Sequence, residues 1–409
     1  MHSDTIIIGA GPAGLALSYY LSQRHWPHRI LEAGRIAEHW RTRRWDSLRL
    51  VAPNWHLQLP AMPYNGPDRD GFMHRDEVVA YLEAYAAQIK APVECNTAVN
   101  AVRAGSNGDM QIVCSGAVIV AQQVVVATGA YTTPHIPAAA VGLDPAITQL
   151  HSMHYRRPDQ LPPGAVLVVG SGESGCQIAE ELRRAGRDVW LAVGRCSWLP
   201  RRYRGRDATA WITEFGGFEQ TVDTLPDGDP RNAPAGPQLT GRDGGRDLNL
   251  HTLAAAGVQL LGRLEALDGA QAHFALDLGE RIAAADIAAA EFLQAVDAYV
   301  VEHQIAAPPP DRPNAAQAYA AAERAPGCIN LHQAGITTLL WATGYRPAYP
   351  WIELPVFAAD GYPQHRRGVT AVPGLYFLGL EWQYKAKSHV LQGIGEDAAY
   401  IAEQIVGKP

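Results

Sequence analysis

Thr5-Ile6-Ile7-Ile8-Gly9-Ala10-Gly11-Pro12-Ala13-Gly14 is the stretch on which the fold turns. Residues 5–8 are a short apolar, β-branched run, the pattern of a buried parallel strand. The run breaks into Gly9, Gly11 and Gly14 at the spacing GxGxxG, with Pro12 and Ala13 inside it. Gly9 permits the tight turn, Gly11 lets a pyrophosphate approach the backbone, and Gly14 lets the helix over residues 15–21 pack on the strand. Free N–H groups at that helix start attract phosphate. A second apolar run, residues 29–31, ends in Glu32, where a carboxylate accepts hydrogen bonds from an adenosine ribose. The plainer alternative is a strand–turn–helix with packing glycines, and Glu32 weighs against it.

The 409 residues are enough for two or more domains. A hydrophobic content of 47% supports full cores, and a net charge of −7 shows no overall pull toward nucleic acid or acidic membrane. Cys95, Cys114, Cys176, Cys196 and Cys328 lie scattered, with no CxxC and no paired Cys/His spacing. That pattern disfavours a structural metal and a disulfide framework. The chain enters a core strand at once, leaving no room for a signal peptide, and no apolar run is long enough to span a bilayer. The expectation is a cytoplasmic protein.

Residues 34–60 interleave Trp40, Trp45 and Trp55 with Arg35, Arg41, Arg43, Arg44 and Arg49. Such a mixture suits stacked nucleic acid bases. It also suits a flat, electron-rich ring and a pyrophosphate, and the glycine loop just before it favours that use. A helix runs from Asp76 to about residue 89, and residues 93–126 read as a β-meander with a turn at Ser106-Asn107-Gly108. The last strand of the meander closes in Ala127-Thr128-Gly129-Ala130-Tyr131.

Residues 165–169 form another buried strand, which breaks into a second GxGxxG: Gly170-Ser171-Gly172-Glu173-Ser174-Gly175. A helix through Arg184 and a strand over residues 188–193 follow. Here a basic residue, Arg195, stands beyond the strand instead of a carboxylate. Arginine pairs bidentately with a 2′-phosphate, so this site should prefer NADPH to NADH. Arg201, Arg202 and Arg204 are further candidates, against a solvated basic turn. Residues 205–250, rich in Gly, Pro and Asp, read as an irregular surface excursion. Residues 257–264 read as a strand, and residues 284–301 as a helix with Ile287, Phe292, Leu293, Val296, Val300 and Val301 apolar. Residues 336–341 read as a strand closing in Ala342-Thr343-Gly344-Tyr345, an echo of Ala127-Thr128-Gly129. Residues 374–379 are a strand ending in Gly379, and Gly393 opens the last helix.

Two glycine loops with opposite ribose partners imply two dinucleotides in one chain. With both Ala-Thr-Gly elements and Gly374-Leu375-Tyr376-Phe377-Leu378-Gly379, the assembly resembles the two-dinucleotide-binding-domain flavoproteins. Within these it is most similar to the flavin-containing monooxygenases, including the YUCCA-type enzymes and the bacterial CzcO-like flavoproteins. The resemblance implies an α/β protein with two Rossmann-like domains. Residues 1–160 and 346–409 would bind FAD. Residues 161–345 would bind NADPH and carry an irregular and helical insertion over 205–330. It places FAD against Gly9, Gly11, Pro12, Ala13, Gly14, Glu32, Ala33, Trp40, Arg41, Leu48, Val99, Thr128, Gly129, Gly379 and Gly393. It places NADPH against Gly170, Ser171, Gly172, Glu173, Ser174, Gly175, Arg195, Ala342, Thr343, Gly344 and Tyr345.

The resemblance further implies that NADPH reduces FAD, that a flavin C4a-hydroperoxide forms with O₂, and that one oxygen passes to a small-molecule substrate. N- or S-oxygenation or hydroxylation is the leading outcome. A Baeyer–Villiger reaction, a non-oxygenating flavin oxidoreductase and a non-enzymatic flavin redox sensor are the alternatives. Residues 205–250 and 284–325 would shape the substrate pocket. No nucleic acid, membrane or metal partner is implied, and a homodimer is allowed. His151 and Tyr155 match half of a family fingerprint whose Phe and Gly positions are Pro145 and Ile147 here, and the histidine reads as a hinge between domains. Val51 stands where the animal enzymes place an asparagine beside the flavin, and Asn54 is the nearby substitute.

Overall fold

The computed structural model describes residues 2–311 and 316–407. Strand β1 (His2–Ile8) runs through the first glycine loop into helix α1 (Pro12–Gln23) and returns in β2 (His28–Leu31), parallel to β1. The arginine–tryptophan segment leads to α2 (Arg75–Gln88), whose start is capped by His74 and Glu77. β3 (Val99–Ala104), β4 (Met110–Cys114) and β5 (Ala117–Val126) form the expected antiparallel meander, and the second half of β5 lies parallel to β1.

The chain then builds a second sheet. It holds β6 (Thr148–His151), β7 (Ala165–Val169), α3 (Glu173–Arg184), β8 (Val189–Ala192) and β9 (Gln259–Leu261). After the long helix α4 (Leu278–Glu302), β10 (Ile336–Trp341) enters between β6 and β7. The order is β6-β10-β7-β8-β9, all parallel. Every residue of β7 is buried, as a two-sided parallel strand requires. The chain finally returns to the first sheet. β11 (Leu375–Phe377) pairs with β5, and α5 (Ile394–Val406) packs on α1.

Four expectations change. β6 joins the second sheet, although the sequence reading puts residues up to 160 in the first domain. The excursion 205–250 is docked, not solvated: Trp211, Gln238, Leu248, Asn249 and Leu250 are all buried. Their single apolar or amide side chains are hidden in a polar composition, which is why it reads as surface. In α4 the apolar face is Leu278, Ile282, Ala285, Ala289, Leu293, Val296 and Val300, while Ile287 and Val301 face outward, 59% and 74% exposed. The strand expected over 257–264 is two separate pieces, Gln259–Leu261 and Leu264–Asp268. Residues 312–315 of the expected insertion lie outside the described residues. Among the described residues no helix is long and apolar enough to cross a membrane.

Candidate functional site: two glycine loops

The two glycine loops have the same backbone. Gly9 (φ 110°) and Gly170 (φ 108°) both take a conformation that side chains rarely adopt. A Cβ on Gly9 would stand 2.7 Å from the Ala127 carbonyl oxygen, and one on Gly170 would stand 2.4 Å from that of Ala342. The register explains this. Ile8 ends opposite Val126 and Val169 ends opposite Trp341, so each glycine turn meets an Ala-Thr-Gly turn. Ala127 N–H donates to Ile8 O (2.9 Å) and Ala342 N–H to Val169 O (2.8 Å). At the far side of each loop, a Cβ on Gly14 or Gly175 would lie about 2 Å from the carbonyl oxygen of Gly9 or Gly170. Only glycine fits there. By contrast, a Cβ on Gly11 or Gly172 would meet nothing within 4 Å. That side of each loop is open.

The helix starts agree. α2 begins under a complete capping box, but no side chain caps α1 or α3. Their first-turn N–H groups therefore remain for a phosphate. Glu32 follows β2 and accepts from Ala10 N–H (2.8 Å) and Gly34 N–H (2.9 Å). It lines an open cleft of ≈ 410 Å³ with Ala33, Gly34, His39, Arg43 and Asn96. Val99 lies two residues beyond Thr97, whose N–H donates to Glu32 O. Gly379 (φ 87°) lets the end of β11 pass Ala13 of the first loop, whereas Gly393 clears the carbonyl oxygen of Lys387 within the C-terminal segment itself. Beyond the second loop, Arg195 is exposed and has no ion pair among the described residues.

Several expected site residues are engaged elsewhere. Arg41 is ion-paired to Glu83 on α2 and also donates to Ile36 O. Arg201 is 1% exposed, ion-paired to Asp207 (2.8 Å), bonded to Val51 O (2.7 Å) and stacked on Phe72. Arg202 donates to Gly244 O and Gly245 O, and Arg204 to Asp297 and Pro308 O. None of these three is a free phosphate ligand. Asn54 is buried; its amide donates to Asp68 O and accepts from Met73 N–H, both at 2.9 Å. The asparagine that was to replace the family residue is thus a loop brace. Leu48 and Trp45 pack on the core of the second sheet, and Val51 packs beside Leu199 and Leu239. This stretch bridges the two sheets.

Between the Ala-Thr-Gly turns lies a cluster that no spacing announced. The Tyr131 and Tyr345 rings are 5.3 Å apart, and His389 stands edge-on to Tyr131 at 6.3 Å. Tyr131 OH donates to Glu381 (2.6 Å), and burial with that carboxylate raises its phenol pKa. Arg44 lies 5.6 Å from both the Trp40 and Tyr131 ring centres. Burial lowers the His389 pKa; its Nδ1 and the Gln392 Oε1 are buried without a hydrogen bond. His151 is 2% exposed. Its Nδ1 accepts from Met153 N–H, so its Nε2–H donates to Gly344 O (3.0 Å). Both ring nitrogens being used, the neutral ring holds the end of β6 to the second Ala-Thr-Gly turn, and burial keeps its pKa down. Tyr155 is fully buried and donates to Glu181 (3.2 Å). Its role here is in the core.

The protein-family model for pyridine nucleotide-disulphide oxidoreductases matches residues 6–213. An uncharacterized CzcO-like oxidoreductase of Geobacillus kaustophilus is 32% identical across 98% of both chains. The indole-3-pyruvate monooxygenase YUCCA1 of Oryza sativa is 35% identical over 49% of this chain and 50% of its own length. Among solved structures, a flavin-containing monooxygenase from Stenotrophomonas maltophilia is similar in fold. Its TM-score is 0.66 at 20% identity, covering 99% of this chain and 98% of that one.

Proposed function

Since the chain belongs to the pyridine nucleotide-disulphide oxidoreductase family, within its CzcO-like and flavin-monooxygenase relatives, we propose that it is an FAD- and NADPH-dependent monooxygenase of a small molecule. The observation that carries this reading is the pair of matched, uncapped glycine loops in one chain, one followed by Glu32 and the other by Arg195. On this reading residues 1–160 and 346–409 make the FAD half and residues 161–345 the NADPH half, with β6 of the first half pairing into the second sheet. Bound flavin supplies the hydride-accepting and oxygen-activating chemistry.

The chain's own residues do the rest. The α1 start and Gly11 receive the FAD pyrophosphate, and Glu32 accepts from the ribose. The α3 start and Gly172 receive the second pyrophosphate, and Arg195 pairs with the 2′-phosphate. His151 fixes the second Ala-Thr-Gly turn against its strand. Tyr131, Tyr345 and Arg44 cluster beside the two Ala-Thr-Gly turns, where they would help keep water from a bound flavin. All five cysteines are free and none forms a CxxC pair, which separates this reading from a dithiol reductase.

The test is an anaerobic NADPH titration of the flavin-loaded protein followed by oxygen, watched by absorbance. Bleaching by NADPH and recovery with an oxygenated product support the reading. Recovery with hydrogen peroxide as the sole product, across a panel of amine, sulfide and ketone substrates, would assign an oxidase instead.

A further inference from the structure

We propose that Glu173 carries a proton for the second glycine loop: its carboxyl is neutral whenever a dinucleotide lies there, so NADP(H) binding is linked to proton uptake. The inference rests on the NADPH reading above. Glu173 is the first residue of α3, directly after Gly172, where a Cβ would meet nothing within 4 Å. In the first loop the same position is Pro12, which has no charge. Among the described residues the half-buried Glu173 carboxyl has no hydrogen-bond or ion-pair partner.

The groups that face it come from three elements. Arg201 is already paired to Asp207, Tyr131 donates to Glu381, and Cys176 lies one turn along α3. Burial pushes the Glu173 carboxyl up to about 7, and Arg201 pulls it only partly back. A pyrophosphate would add about two negative charges at the same helical turn. Like charges favour the neutral form of a carboxyl. The free protein is therefore mostly ionised at Glu173 at pH 8, and the complex is protonated there. Binding must take the proton from solvent.

The experiment is calorimetric titration of the FAD-loaded protein with NADP⁺ at pH 8, in two buffers of different ionisation enthalpy. The 2′-phosphate, with a pKa of about 6, is already ionised at that pH and takes no part. The expected result is uptake approaching one proton per NADP⁺, with the dissociation constant weakening about tenfold per pH unit above pH 8. Glu173→Gln should bind without uptake and with a flat pH dependence. Binding without proton uptake by the parent, or equal uptake by Glu173→Gln, overturns the proposal and leaves the NADPH reading intact. No binding of NADP⁺ to either protein overturns the NADPH reading and the proposal with it.

Discussion

Gly9 to Gly14 and Gly170 to Gly175 trace the same turn against the same kind of neighbour, an Ala-Thr-Gly strand end. What surrounds them differs. The first loop is braced by a carboxylate, with Ala10 N–H and Gly34 N–H on Glu32. The second is braced by neutral groups: Ser171 Oγ accepts from Gly194 N–H (3.1 Å), and buried Gln238 donates to Ser171 O (2.7 Å). The first has Pro12 at its helix start and the second has Glu173. Backbone geometry alone makes a place for a pyrophosphate. The side chains around it decide which dinucleotide is held and under what conditions.

The comparison can be broken most severely at its shared glycines. Gly14→Val and Gly175→Val each drive a side chain into a backbone carbonyl about 2 Å away, so both should fail to fold, read as loss of soluble protein. A Cβ at Gly11 meets nothing within 4 Å, so Gly11→Val should fold with near-parental circular dichroism and yet lose FAD. A fully yellow Gly11→Val protein would move FAD away from this loop. Next in size is Arg195→Ala. Losing a charged hydrogen bond of about 1.5–3 kcal/mol should raise the NADPH dissociation constant roughly ten- to a hundredfold and barely touch NADH. Equal effects on the two cofactors would contradict the 2′-phosphate role.

Smaller effects sharpen the rest. Asn54→Ala removes two buried hydrogen bonds between residues 54 and 68–73, which should cost about 1–3 kcal/mol of stability with FAD content unchanged. A change in the flavin spectrum without loss of stability would restore Asn54 to the reaction site. Smallest is the stability effect of Glu173→Gln. The folded carboxyl titrates near 7, above its usual 4.5, so its contribution is full below pH 4.5 and is lost as pH rises through 7. Discounted for partial exposure, the variant should exceed the parent by about 1–2 kcal/mol at pH 8 and match it at pH 4, by urea unfolding.

Both loops, their strands and the Ala-Thr-Gly echo were legible because glycine spacing and β-branched runs are local signals. The register later showed why the echo exists: each Ala-Thr-Gly turn carries the carbonyl that its glycine turn must clear. The arginines were not legible. Whether Arg41, Arg201 or Arg204 is free depends on Glu83, Asp207 and Asp297, and two of these lie 42 and 93 residues away in the chain. Arg195 and Arg201 look alike in sequence, but one is exposed and the other is among the most buried side chains. The cluster of Tyr131, Glu381 and His389 escaped for the same reason, since Tyr131 lies about 250 residues from the other two.

The division of labour between the loops is tested most directly with Gly172→Val, which adds a side chain only to the open face of the second loop. The purified variant is mixed anaerobically with NADPH, and the flavin absorbance is followed, with dithionite added last. The account predicts a yellow protein that NADPH leaves oxidised and dithionite bleaches. Bleaching by NADPH at the parental rate would contradict it.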